Sequence, residues 1–204
     1  AQATQTGLRS LQKIAIGHDG SLYLTRFNST LGPDSSVERI QSDGAIRRIA
    51  GSPTAGAGEN RDEGPALLAY IYGTTDIAVA PDSGYYIVGR SRVRYVSPDG
   101  VIHAFACNGT DVFSGDDGPA RLAGCRFPNA IALSPDGAVL ISEWGRIRRI
   151  GPDGIIKTIA GNGSINNTPP TVDGPALNLP ISAFNLALDG AGNVFVQEDF
   201  LKDL

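Results

Sequence analysis

Four asparagines stand in the pattern Asn-x-Ser/Thr, the acceptor of N-linked glycan: Asn28, Asn108, Asn162 and Asn166. The chain's content of asparagine, serine and threonine predicts about one such match by chance, so the excess points to passage through a glycosylating compartment. Asn108 (Asn-Gly-Thr) and Asn162 (Asn-Gly-Ser) both fall in glycine-containing turns, where a glycan can project into solvent. Two cysteines fit the same compartment. Cys107 and Cys125 are 18 residues apart and flank a Gly/Asp-rich loop whose closure by a disulfide should stabilise the fold by about 3 kcal/mol; two buried thiols are the alternative. The segment Thr168-Pro169-Pro170-Thr171 reads as an extended, polyproline-like loop open to O-linked sugar. Trp144, the one tryptophan, follows a strand and is either packed between sheets or exposed as a contact residue.

Other side chains point away from catalysis. His18 and His103 are the only histidines, too few for a zinc site even with both cysteines. His103 sits among Ile102, Ala104 and Phe105 and reads as a strand-surface residue. Asp62, Glu63, Asp116, Asp117 and Asp173 offer only one or two carboxylates per cluster, short of the several oxygens calcium prefers, and read as caps of short helical turns. Asn129, Asp76 and Asn185 precede strands, where turn chemistry accounts for them. No Gly-x-Ser-x-Gly elbow is present. Arg47, Arg48, Arg94, Arg148 and Arg149 suggest a basic stripe, but the net charge is −4 and the pI about 5.1. That balance argues against a nucleic-acid reader and for a solvated strand face. We therefore expect no catalytic residues, no cofactor and no metal.

The segments that must position these residues form a repeat. Ile14-Ala15-Ile16, Ile77-Ala78-Val79, Ile131-Ala132-Leu133 and Leu186-Ala187-Leu188 recur at intervals of 63, 54 and 55 residues. Each leads through Asp-Gly or Pro-Asp-(Ser)-Gly into a second apolar run: Leu22–Leu24, Tyr85–Val88, Val139–Ile141 and Val194–Val196. Turn residues between β-branched and aromatic runs predict a hairpin. In three copies a second hairpin follows, turning at Asp43-Gly44, Asp99-Gly100 and Asp153-Gly154, where glycine supplies positive φ. Its strands space apolar residues by three rather than two, which predicts a bulge or an unusual twist. Between the copies, Asp62-Glu63-Gly64-Pro65-Ala66, Asp116-Asp117-Gly118-Pro119-Ala120 and Asp173-Gly174-Pro175-Ala176 read as connectors with one capped helical turn, proline standing first in the helix.

Four antiparallel strands per unit at this period is the pattern of propeller blades. The phrases Ile156-Lys157-Thr158-Ile159-Ala160-Gly161-Asn162-Gly163, Gly115-Asp116-Asp117-Gly118-Pro119-Ala120, Pro135-Asp136-Gly137 and Arg146-Ile147-Arg148-Arg149-Ile150 resemble NHL repeats, most of all those of large extracellular proteins such as teneurins. The resemblance runs over roughly residues 11 to 200 and implies a β-propeller. One departure is local: Ser142-Glu143-Trp144-Gly145, and Gly89-Arg90-Ser91 in the preceding copy, replace the family's Asp and Asn after the second strand.

The expected fold is all-β, with NHL-type propeller repeats forming about three complete four-stranded blades plus a partial fourth. More than 40% of residues should be strand, with the small triplets innermost. Residues 1–10 form an N-terminal arm able to complete a blade. Residues 11–204 carry the repeats, in units near 11–51, 74–109, 128–163 and 184–204. The chain opens Ala-Gln-Ala, lacks methionine and has no run of 18 apolar residues, so it reads as processed or excised material without a membrane span. Together these readings predict a non-catalytic, secreted glycoprotein module for adhesion or self-assembly, with protein partners that include copies of itself, joined by strand addition into an extracellular filament. The rival expectation is a metal-dependent propeller lyase or hydrolase using a central channel, as the resemblance allows.

Overall fold

The computed structural model describes residues 10–26, 35–56, 60–165 and 173–198. Of these, 44% are strand and 5% helix, and every strand pairing is antiparallel. The chain divides into two compact units, Ala1–Phe105 and Ala106–Leu204. The N-terminal arm lies outside the described residues apart from Ser10, as does the tail beyond Glu198.

The first unit holds two sheets. β1 (Leu11–Ile16), β2 (Leu22–Arg26), β3 (Ser36–Ile40) and β4 (Ile46–Ala50) pair in chain order. β5 (Gly64–Pro65), β6 (Asp76–Val79), β7 (Tyr85–Gly89), β8 (Arg92–Val96) and β9 (Val101–Ala106) pair in the order β5-β9-β8-β7-β6. In the second unit β10 (Gly118–Pro119), β11 (Ile131–Leu133), β12 (Val139–Glu143), β13 (Arg146–Ile150) and β14 (Ile155–Ala160) repeat that order as β10-β14-β13-β12-β11. There β15 (Ala183–Leu188) pairs with β16 (Val194–Glu198). The small apolar triplets thus lie in β1, β6, β11 and β15, each at an edge of its sheet.

Local chemistry explains the hairpins. In the Gln41–Ala45 turn the Gly44 amide donates to Gln41 and the Gln41 amide to Ala45, both at 2.9 Å, while Gly44 alone takes a positive φ, of 79°. That is a type I turn closed by a glycine bulge rather than the doubly left-handed two-residue turn. The turn aspartate accepts the amide two residues on: Asp43 from Ala45 at 2.8 Å, Asp153 from Ile155 at 3.1 Å. The expected irregularity appears as register shifts at Val37/Glu38 and at Ile147/Arg148.

The connectors correct the sequence reading. Pro65, Pro119 and Pro175 stand just before three-residue 3-10 turns (Ala66–Leu68, Ala120–Leu122, Ala176–Asn178), and none of these turns has a side-chain cap. In two of them Gly-Pro instead adds a short strand to the sheet, Gly64 opposite Ile102 and Gly118 opposite Ile156. The following amide is then already bonded, Ala66 to Gly100 at 2.8 Å and Ala120 to Gly154 at 2.9 Å. Asp62 and Asp116 are released from capping and serve elsewhere.

In the first unit Tyr23, Ile77, Tyr85, Ile87 and Val96 belong to one buried cluster. The rings of Tyr23 and Tyr85 lie 5.4 Å apart, and the Tyr85 hydroxyl donates to the Ile49 carbonyl. In the second unit Leu140, Ile147 and Ala183 are packed by Leu186, Leu188 and Val194.

Candidate modification and contact site

The candidate modification site is built where an outer strand meets its connector. At the same point of three copies, backbone amides bond across the connector: Gly51 to Ala66, Cys107 to Ala120 and Gly161 to Ala176, then Ser52 to Ala69, Asn108 to Ala123 and Asn162 to Leu179. Gly51 and Gly161 take φ near +90°, and Cys107 takes +65°, so a cysteine occupies a left-handed position that the other copies give to glycine. Cys107 is joined to Cys125 in a disulfide with Cα atoms 5.3 Å apart, and both residues are buried.

The next residue in two copies is a sequon asparagine, and both are exposed. Asn108 Oδ1 accepts from the Thr110 amide at 3.0 Å and hydroxyl at 2.7 Å, while Nδ2 donates to the Leu122 carbonyl at 3.0 Å. Asn162 repeats this, with Oδ1 accepting from the Ser164 amide at 2.9 Å and Nδ2 donating to the Asn178 carbonyl at 3.0 Å. An amide nitrogen bears two hydrogens, so a glycan replacing one leaves the other for this bond. Asn28, Asn166, Thr168, Pro169, Pro170 and Thr171 lie outside the described residues.

Trp144 is partly exposed at the β12–β13 turn rather than sealed between sheets. The Arg126 guanidinium lies 4.8 Å over its ring and Phe127 is 5.9 Å away. Their sequence gives little sign of this, because they come from the approach to β11, which the Trp144 amide, donating to the Arg126 carbonyl, helps join to the β12–β13 turn.

The arginines depart most from expectation. Arg94 and Arg148 are buried. Arg148 donates from Nε (3.0 Å) and Nη2 (2.7 Å) to Asp116 Oδ1, from Nη1 to the Gly124 carbonyl (2.9 Å) and from Nη2 to the Ser114 carbonyl (3.0 Å). Arg94 repeats the clamp on Asp62, the Tyr70 carbonyl and the Asn60 carbonyl. The reading of a solvated face holds for Arg47 and Arg48, which are exposed, and fails for these two because a guanidinium can fasten three loop segments at once. Asp62 and Asp116 are thus ion-pair partners.

Glu143 is also buried; Oε2 accepts the Arg126 amide at 2.7 Å, and Oε1 lies 3.7 Å from Arg148. Burial holds its carboxyl above the ordinary range, opposed by Arg148. Glu198 plays the same part in the next copy, accepting the Ser182 amide at 3.0 Å. In the first sheet the positions are filled with charges exchanged, Arg26 pairing with Glu38 at 2.8 Å. The segment Ser142–Gly145 therefore carries an internal brace built on Glu143.

The remaining candidates are engaged in local structure. His103 Nδ1 lies 2.7 Å from Glu63 Oε2. Asn129 Nδ2 donates to the Phe184 carbonyl at 2.9 Å, Asn185 Nδ2 to Gln197 at 2.6 Å, and Asp76 accepts the Ile77 amide. Among the described residues no three His, Cys, Asp or Glu side chains form a metal-ion cluster, and no helix is long and apolar enough to cross a membrane.

Asp136 gives a pH prediction. The Ser134 hydroxyl, then Arg149 and the Ala138 amide, hold its carboxyl down from 3.8 to about 2. A depressed folded-state value contributes stability that is full above the unfolded value and lost as pH falls through the folded one. Between pH 4 and 2 the wild-type urea midpoint should fall more steeply than that of Asp136→Asn; parallel curves would refute this role.

The repeated antiparallel sheets superpose on solved propeller-like proteins, which gives the class of fold. A streptogramin B lyase superposes with a TM-score of 0.55 at 14% identity, covering 95% of this chain and 50% of that one. A gluconolactonase from Xanthomonas campestris gives 0.57 at 15% identity, covering 97% and 57%. In sequence the chain is similar to teneurins: 29% identical to Drosophila melanogaster Teneurin-m over 167 residues, 79% of this chain, and 28% identical to Homo sapiens Teneurin-1 over 163 residues, 71% of this chain. It spans 6% of the length of each. No protein-family profile matches.

Proposed function

We propose that this chain is a secreted, N-glycosylated and non-catalytic propeller module whose role is adhesion or self-assembly, extending to an extracellular filament. On this reading the four sheets are three complete blades and part of a fourth, with the triplet strands innermost, in the repeat units near residues 11–51, 74–109, 128–163 and 184–204. The observation that carries it is the paired connector geometry, in which Asn108 and Asn162 are exposed at equivalent turns and the first adjoins a buried disulfide. A disulfide persists in oxidising compartments, where N-glycans are also attached. Teneurin similarity supports an extracellular protein-binding role.

Peptide mapping without reduction, before and after glycosidase, tests the reading on native material. The expected result is a Cys107–Cys125 cross-linked peptide and glycan on Asn108 or Asn162. Free thiols with unmodified asparagines would return the protein to a reducing compartment. The rival reading, a metal-dependent lyase or hydrolase acting through a central channel, draws on the names of the solved neighbours. A stoichiometric metal in the purified protein would favour it; Asn129 and Asn185, both engaged in hydrogen bonds within the chain, support the non-catalytic reading.

A further inference from the structure

Residues paired across neighbouring antiparallel strands share a face of the sheet. Tyr23 pairs with Ala15, Leu140 with Ala132 and Phe195 with Ala187, so the three large residues occupy one position of the repeat. Tyr23 and Leu140 are each 2% exposed, and Phe195 is 58% exposed. The first two are covered by the next sheet in the chain: Tyr23 clusters with Ile77 and Tyr85, and Leu140 with Leu186, Leu188 and Val194. The opposite face shows the converse. Ile14 stands where Ile77 and Ile131 stand, since each lies one residue before the alanine of its triplet. Ile77 and Ile131 are 5% exposed, whereas Ile14 and Ile16 are 60% and 72% exposed.

Within each unit, then, one contact recurs: a face of the Tyr23 type meets a face of the Ile77 type. Phe195, beside the hydrogen-bonded Asn185 and Gln197, and Ile14 with Ile16, beside the buried Leu24, are the exposed members of the two types, and exposed apolar side chains on a sheet face mark an interaction surface. We propose that the Phe195 face of β15–β16 docks the Ile14–Ile16 face of a second copy of this chain, continuing between molecules the contact that joins sheets within them. This rests on the assembly reading above and names its surface. The contact is sheet face to sheet face, in place of strand addition at an edge, and it is heterologous, so it propagates to a ring or a filament.

Sedimentation of the native chain, alongside Phe195→Glu and Ile14→Glu/Ile16→Glu variants checked by circular dichroism, tests this. The wild-type mass should rise with concentration past a dimer, and each variant should stay monomeric. An equal mixture of the two variants should stop at a heterodimer, because each supplies one intact face. A variant that assembles like the wild type would overturn face docking in favour of strand edges. A wild type that stays monomeric while its disulfide and glycans are intact would overturn the docking surface, with the faces covered by other chain segments, and leave the secreted-module reading standing. If a glutamate variant fails to fold, mixing Phe195→Cys with Ile14→Cys gives a second measurement. A disulfide-linked heterodimer supports the contact, and its absence under oxidising conditions refutes it.

Discussion

Replacing Arg148 by methionine should lower stability by about 3–5 kcal/mol, the effect of removing one partner from a buried ion pair. For a chain of this size that is a fall in Tm on the order of 10 °C or more. The cause is what the substitution leaves behind. Glu143 would stay buried without its Arg148 partner, and the Gly124 and Ser114 carbonyls would lose their donor. Arg149→Met is the control. Arg149 pairs with Asp136 at a partly exposed site, and such pairs contribute about 0–1 kcal/mol. Adding Glu143→Gln to Arg148→Met should restore part of the loss, since a neutral amide is less costly to bury than an unpaired carboxylate. Comparable thermal midpoints for Arg148→Met and Arg149→Met would mean that burial of Arg148 carries no special weight.

The second large effect concerns the disulfide. Removing it as Cys107→Ala/Cys125→Ala should cost about 3 kcal/mol through the freed loop, with alanine still held at the left-handed φ that Cys107 occupies. Cys107→Gly/Cys125→Ile takes the residues that the other copies place there: Gly51 and Gly161 at the first position, and Ile71 and Ile181 two residues beyond Ala69 and Leu179 as Cys125 is beyond Ala123. Glycine relieves about 1 kcal/mol of backbone strain, and isoleucine refills the buried volume. This variant should be more stable than the double alanine by about 1–2 kcal/mol, read from urea unfolding under non-reducing conditions. Equal midpoints would show that Cys107 carries no strain the repeat could relieve.

The repeat and its hairpins were legible in the sequence because they rest on chemistry within a few residues. Asp43-Gly44 and Asp153-Gly154 carry both the left-handed glycine and the aspartate that accepts the amide two residues on. The apolar runs beside them then have one way to pair. The irregular spacing in Val37–Ile40 and Arg146–Ile150 was readable as a bulge or an unusual twist, and the register shifts there are of the first kind. The pairing of Cys107 with Cys125 was likewise legible from residue type and spacing.

What the sequence could not decide is which polar side chains go inside. Arg146-Ile147-Arg148-Arg149-Ile150 offers three arginines, and Arg148 is buried because Asp116, 32 residues earlier, and the Ser114 and Gly124 carbonyls converge on it. A pairing over that distance leaves no local pattern. The same holds for Asp62 and Asp116, whose place before Gly-Pro suits a cap until the sheet takes the amides they would have bound. Phe195 and Tyr23 occupy one position of the repeat, yet whether such a residue is buried depends on a neighbouring sheet, which is a property of packing and not of the residue.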